Sequence, residues 1–206
     1  MFELLEDIKE LFVGDKRMSA LRHFARAKEF QFVRKVDPYS LPLEVQKMSF
    51  FEGNRSRSLK GLLTKNIPSK NVKARIFDYN HYHEFGNKAT TVFLYECSEM
   101  MMPKFSITAR NTFGRLGSIF NSTEWSSLNK EFDNEFEITS ANMNWARMHF
   151  TIQFAETMLQ LKGYNVECRD NYLALYRKHH QVDTIDMDNL HDDMIELISI
   201  INDDPL

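Results

Sequence analysis

The stretch that decides the fold runs from Val72-Lys-Ala-Arg-Ile-Phe-Asp-Tyr79, through a polar middle, to Thr90-Thr-Val-Phe-Leu-Tyr-Glu-Cys97. Both ends are rich in β-branched and aromatic residues. The middle, His81-Tyr-His-Glu-Phe-Gly-Asn87, carries Gly86-Asn87, a turn signal. That arrangement predicts an antiparallel hairpin with strands near 72–79 and 90–97. Around Ile76-Phe77 and Val92-Phe93-Leu94-Tyr95 successive positions are apolar. Side chains alternate between the two faces of a strand, so this pair is expected to be covered on both.

Working outward, Leu59–Lys65 reads as a third strand and Phe30–Val36 as a fourth, ended by Asp37-Pro38. A helix is expected from a cap at Asp15 to about Phe30, and a short one over Pro42–Met48. Beyond the hairpin, strands are expected at Lys104–Ala109 and Glu135–Thr139, with helices at 112–120 and 124–132. A helix capped by Ser140 and another over Ile152–Leu161, stopped by Gly163, follow. Tyr164–Arg169 and Tyr172–Arg177 read as a second hairpin across Asp170-Asn171. Each end of the chain carries an amphipathic helical stripe: Leu4, Leu5, Ile8, Leu11 and Phe12 at one, Leu190, Met194, Leu197, Ile198 and Ile201 at the other. The expected fold is α+β, an antiparallel sheet with helices packed against it and amphipathic helices at both termini. One domain spans 1–206, with 1–14 as a docking helix and 15–206 as the core.

Composition agrees with a packed domain. Phenylalanine occurs 17 times, glycine only 7 and proline 5, against the profile of a disordered chain. Two cysteines, Cys97 and Cys168, stand far apart in no metal-ligand spacing and read as small buried hydrophobes. The N-terminus lacks the basic region and apolar run of a signal peptide, and no run approaches the roughly 18 apolar residues of a membrane span. A soluble, cytoplasmic protein is expected. The net charge of −3 hides an asymmetry: Lys and Arg outnumber Asp and Glu up to residue 75, and the acids dominate after it. Such polarity suits an anionic partner at one region or head-to-tail self-association.

Few residues carry candidate chemistry. His81 and His83, two apart, would share a face if extended and reach one metal ion, with Glu84 or Asp78 as an oxygen ligand. No His-Glu-x-x-His motif or cysteine pair completes the set. Asp78 interrupts an apolar strand and is either hydrogen-bonded by neighbours or a general base in a pocket. Arg55, Arg57 and Lys60, beside Phe50 and Phe51, form a basic loop able to hold an anion. The acids Asp183, Asp186, Asp188, Asp192 and Asp193 lack the glycine of a calcium loop and suit capping. Gly114 and Gly117 miss both phosphate-loop spacings, so no cofactor is assigned.

Several phrases in order resemble one uncharacterised bacterial domain family, often attached to transmembrane helices. They are Ala20, Phe30-Gln-Phe32 and Asp37-Pro38; Phe50-Phe-Glu-Gly53 and Gly61; Ala74–Tyr79, Thr91–Leu94 and Pro103–Ile107; then Phe132, Phe136-Glu-Ile138, Ala146 and Tyr172–Tyr176. The resemblance spans about residues 20–178; its most specific piece is Phe77-Asp78-Tyr79 before a polar hairpin. It implies a fold and a compartment and supplies no activity. The reading that follows is a non-enzymatic cytoplasmic interaction or ligand-sensing domain. It would meet a protein partner or a second copy through the N-terminal helix, not DNA, and a small-molecule ligand of unknown identity. The alternative is a metal-dependent hydrolase-like enzyme with a site near Asp78, His81 and His83.

Overall fold

The computed structural model describes residues 16–51, 57–83, 86–110 and 129–202, and of residues 57, 81–83 and 86–88 the backbone alone. The N-terminal stripe and the helices expected at 112–120 and over most of 124–132 lie outside the described residues.

The strands are β1 (Gln31–Val36), β2 (Arg57–Ile67), β3 (Val72–His83), β4 (Gly86–Cys97), β5 (Phe105–Ala109), β6 (Phe136–Ser140), β7 (Asn165–Arg169) and β8 (Tyr172–Tyr176). They form one sheet in the order β1-β2-β3-β4-β8-β7-β5-β6 with every pairing antiparallel. The α+β expectation holds. The first four strands meander, and the β7–β8 hairpin then inserts between β4 and β5.

One face of the sheet is covered by helices α1 (Lys16–Ala27), α3 (Lys130–Glu135), α4 (Met143–His149), α5 (Ile152–Gln160) and α6 (Met187–Asn202). Leu21, Phe132, Ala146, Phe154 and Met194 from these helices join Leu63, Ile76, Phe93, Ile107 and Leu173 of the sheet in one buried cluster. The whole C-terminal stripe is buried in it. The opposite face is covered over β2, β3, β4 and β8 by residues 38–51, which include the one-turn helix α2 (Leu43–Gln46). There Val45, Met48, Phe50 and Phe51 pack on Leu59, Phe77, Tyr79, Val92, Leu94 and Tyr176. The doubly apolar reading of β3 and β4 is explained by these two covers. The sequence also suggests Ile76, Phe77, Val92, Phe93, Leu94 and Ile138 as buried sheet residues; all are buried except Ile138, half-buried because β6 is an edge strand.

Three local expectations are corrected. The β3–β4 ladder continues to His83 opposite Gly86, so Gly86-Asn87 is strand, and residues 84–85 lie outside the described residues. Continued ladder pairing outweighs the local turn preference of Gly-Asn. Ser140 ends β6 opposite Phe105, and the helix cap passes to Asn142, whose Oδ1 accepts from Trp145 N–H at 3.0 Å. Of the helix expected at 124–132, residues 124–128 lie outside the described residues. Asn129 is extended, so the last residues of that span belong instead to a helix at Lys130–Glu135 that Asn129 caps. Gly61 marks a bulge in β2: its φ is +64°, and a Cβ there would stand 2.4 Å from Leu21 Cδ1 of α1. Glycine meets both the left-handed backbone and the close helix approach.

Candidate functional site

Asp78 has no acceptor capacity to spare. Its Oδ2 accepts from Arg17 Nε at 2.8 Å and Gln181 Nε2 at 2.7 Å; its Oδ1 accepts from Arg17 Nη2 at 3.0 Å and Thr91 Oγ1 at 2.7 Å. A carboxylate offers about four acceptor sites, and four donors fill them. Arg17 Nη1 donates to the Val182 carbonyl at 2.7 Å, so the buried pair ties α1, β3, β4 and the approach to α6 together. This is a structural clamp. It leaves no lone pair for a metal or a proton in transit.

The other candidates are dispersed. His81 and His83 belong to β3, with Lys88 and Gly86 as register partners; their side chains lie outside the described residues. Arg55 lies outside them too, and Arg57 opens β2 with its side chain undescribed. Lys60 is exposed, in register with Lys35 and Asp78. Among the described residues no group of three or more His, Cys, Asp or Glu is placed to hold a metal ion. Cys97 and Cys168 are free and buried. Burial first, then Glu96, pushes the Cys97 thiol up to about 12, and burial pushes that of Cys168 up as well. Neither is a nucleophile at neutral pH. Asp183 accepts from Ile185 N–H at 3.3 Å and Asp188 pairs with Lys28, in keeping with capping and surface roles.

The unclaimed polar chemistry lies on the face opposite α1 and α3–α6, where residues 38–51 leave it uncovered. Along one edge of the sheet the register sets Asn66 opposite Lys73, Lys73 opposite Glu96, Glu96 opposite Tyr172, and Tyr172 opposite Arg169. Cross-strand partners stand about 5 Å apart, so these side chains form a row across five strands. Arg75, two residues from Lys73, donates from Nη2 to Glu96 Oε2 at 2.8 Å, and its Nη1 is buried without a hydrogen-bond partner among the described residues. Burial, with Glu96 beside it, raises the Tyr172 phenol above its ordinary value. On β5, β6 and β7 the same face presents Ser106, Thr108, Glu137, Thr139, Asn165, Glu167 and Arg169, all but Glu167 half-buried or exposed.

Two cavities flank Tyr172. One of about 460 Å³ is lined by Asn66, Lys73, Arg75 and Glu96. The other, about 350 Å³, is lined by Ser49, Lys104, Ser106, Thr139, Glu167 and Arg169. Glu167 anchors the second. It is buried, its Oε2 accepts from Ser49 N–H at 2.7 Å and Tyr176 O–H at 3.4 Å, and its Oε1 accepts from Arg169 Nε at 3.2 Å. The sequence carried a signal for this face, polar residues at every second position of 105–109, 136–140 and 165–169. Joining them into one surface requires the strand order.

No family model matches the chain, and no curated protein matches it. Its fold is similar to that in the crystal structure of the mycobacterial trehalose monomycolate transport factor A, TtfA. Identity is 12%, the TM-score is 0.58, and the likeness covers 90% of this chain and 92% of that one. A likeness at this identity is one of fold. No helix among the described residues is long and apolar enough to cross a membrane.

Proposed function

We propose that this chain is a non-enzymatic cytoplasmic interaction or ligand-sensing domain that binds through the polar part of the sheet face opposite α1 and α3–α6. The observation that carries the reading is the polar row from Lys73 to Arg169 with a cavity on either side of Tyr172. Concave sites with a few convergent polar groups are where small ligands bind. The carboxylate of the competing hydrolase reading, Asp78, is saturated by Arg17, Thr91 and Gln181. TtfA is named as a transport factor, and a fold shared with it supports a binding role by analogy alone. Two free buried thiols suit a reducing compartment. The proposal includes membership in the bacterial family that residues 20–178 resemble, and self-association through the N-terminal helix.

The test has two arms. Thermal-shift measurements at constant ionic strength compare anionic, neutral and cationic small molecules. The anionic class is expected to stabilise the protein, and Lys73→Ala or Arg169→Lys to diminish the effect. Metal analysis of untagged protein forms the second arm. A stoichiometric transition metal in the parent, absent from the His81→Ala, His83→Ala double variant, establishes the metal-dependent alternative instead. That double variant is expected to keep its stability within about 0.5 kcal/mol, as for surface changes.

A further inference from the structure

Arg169 is held by one edge and open on the other. Its Nε is spent on Glu167, while its two Nη groups have no partner among the described residues and retain solvent contact. Glu167 is itself fixed by a backbone N–H and a phenol, so the guanidinium plane is set before any ligand arrives. Such preorganisation lowers the ordering cost of binding. Lys104 stands just before β5, whose Phe105 pairs with Cys168, and this brings it beside Arg169 across the strands. Its backbone is fixed by Ala141 N–H on its carbonyl at 2.8 Å, and its ammonium has no partner among the described residues. Ser106 Oγ and Thr139 Oγ1, 2.7 Å apart, share one hydrogen bond and leave one O–H free to donate.

We propose that this cavity binds the phosphate group of a small phosphate ester. The inference rests on the binding reading above and deepens it. A planar carboxylate held by the guanidinium fork has its remaining lone pairs confined to the plane of that fork, and no further oxygen to offer Lys104 and the hydroxyl. A tetrahedral phosphate supplies two oxygens to the fork of Arg169, a third to Lys104 and a fourth to the free hydroxyl. The charges agree: Arg169 and Lys104 against Glu167 leave one net positive charge, and the oxygens of Glu167 already accept three hydrogen bonds. A cation finds no free carboxylate here. At about 350 Å³ the cavity lies at the small end of ligand sites, with room for a phosphate and a short attached group.

Calorimetric titration with inorganic phosphate and with glycerol phosphate, in buffers matched in ionic strength with chloride, tests this. Both are expected to bind the parent, and Lys104→Gln to weaken them about ten-fold or more, the worth of one charge-assisted hydrogen bond. Arg169→Lys, which keeps the charge but loses the fork, is expected to weaken them at least as much. Lys104 is exposed, so its variant keeps the test open if Arg169→Lys disturbs the fold. Lys130→Ala, an exposed change on α3 away from both cavities, is expected to leave binding unchanged. Cosedimentation with phosphatidic acid vesicles but not phosphatidylcholine vesicles, lost in Lys104→Gln, identifies a lipid headgroup as the source. Binding of glycerol phosphate without cosedimentation identifies a soluble ester; both outcomes support the site. Heat no greater than that of chloride, or equal binding by parent and Lys104→Gln, overturns it. If Lys73→Ala abolishes anion binding while Lys104→Gln does not, the phosphate cavity is refuted and the open-face reading stands.

Discussion

Four donors around one carboxylate make Asp78 a test of whether this chain was built to react or to hold. Arg17 is 16% exposed and Asp78 2%, so removing one partner strands a largely buried charge. Asp78→Ala is therefore expected to cost about 3–5 kcal/mol in urea denaturation, the range for breaking a buried pair. An Arg17→Met, Asp78→Leu double variant should lose less, because no uncompensated charge remains. A catalytic carboxylate would behave otherwise, its removal leaving stability untouched or raised. The thiols extend the same argument. Because burial holds the Cys97 thiol at about 12 and raises that of Cys168, neither should react with a disulfide reagent at pH 8 in the native state. Both should titrate once the protein is unfolded in denaturant. The polar strand residue Asp78 was legible in sequence as an anomaly. Its four donor groups were not, because they come from three residues, at positions 17, 91 and 181, and only the fold brings these together.

Helices and strands were read from their periodicity, and they stand where one face is buried: the C-terminal stripe became α6, and the Val92–Leu94 run became the centre of β4. What local pattern misjudged were ends. Gly86-Asn87 prefers a turn, yet ladder pairing carried β4 through it; Ser140 prefers a cap, yet β6 claimed it first. Docking of α6 offers a prediction at this scale. His191 Nδ1 lies 3.0 Å from the Tyr95 hydroxyl, stacked on the Tyr95 ring and edge-on to Phe30. Burial lowers its pKa below the ordinary 6.5, against a rise from Asp192 and Asp188 and with help from Lys65 and Lys28. The unfolded chain thus takes up the proton first as pH falls. The contribution of His191 is fully present above about 6.5 and declines below it. Denaturation midpoints measured from pH 7.5 to 5.0 should fall, and His191→Gln should flatten part of that slope. His180, lowered by burial and by Arg177, should leave a residue of it. Phe93→Ala, emptying a position at 0% exposure between sheet and helices, should cost about 3–5 kcal/mol by the same method. A cost below 1 kcal/mol would contradict the two-sided cover of β4.

For the molecule as a whole, the order of strands was the hidden quantity. Alternation marked 105–109, 136–140 and 165–169 as half-polar, but nothing local reveals that the β7–β8 hairpin inserts between β4 and β5 and aligns Glu96, Tyr172 and Arg169. Long-range pairing of this kind is set by burial summed over the molecule rather than by neighbouring residues. The same scale decides how the two terminal stripes are used. Leu190, Met194, Leu197, Ile198 and Ile201 are spent on the domain's own core. The stripe of Leu4, Leu5, Ile8, Leu11 and Phe12 is as wide in sequence, and its polar face of Glu3, Glu6, Asp7, Lys9 and Glu10 is wrong for anionic lipid. Left exposed, such a stripe is an aggregation liability, so a covering surface is required. In the sequence Gly14 offers a hinge after the stripe, and the stripe lies outside residues 20–178 of the family resemblance, which favours a second protomer as the cover. Deleting residues 1–13 is then expected to weaken a homodimer while the remaining chain keeps its far-ultraviolet signature and a cooperative melt. Sedimentation of full-length and shortened protein at matched concentrations reads the result directly. Monomers in both samples would eliminate self-association through this helix, and a shortened protein that no longer melts cooperatively would show the stripe to be spent on the domain itself.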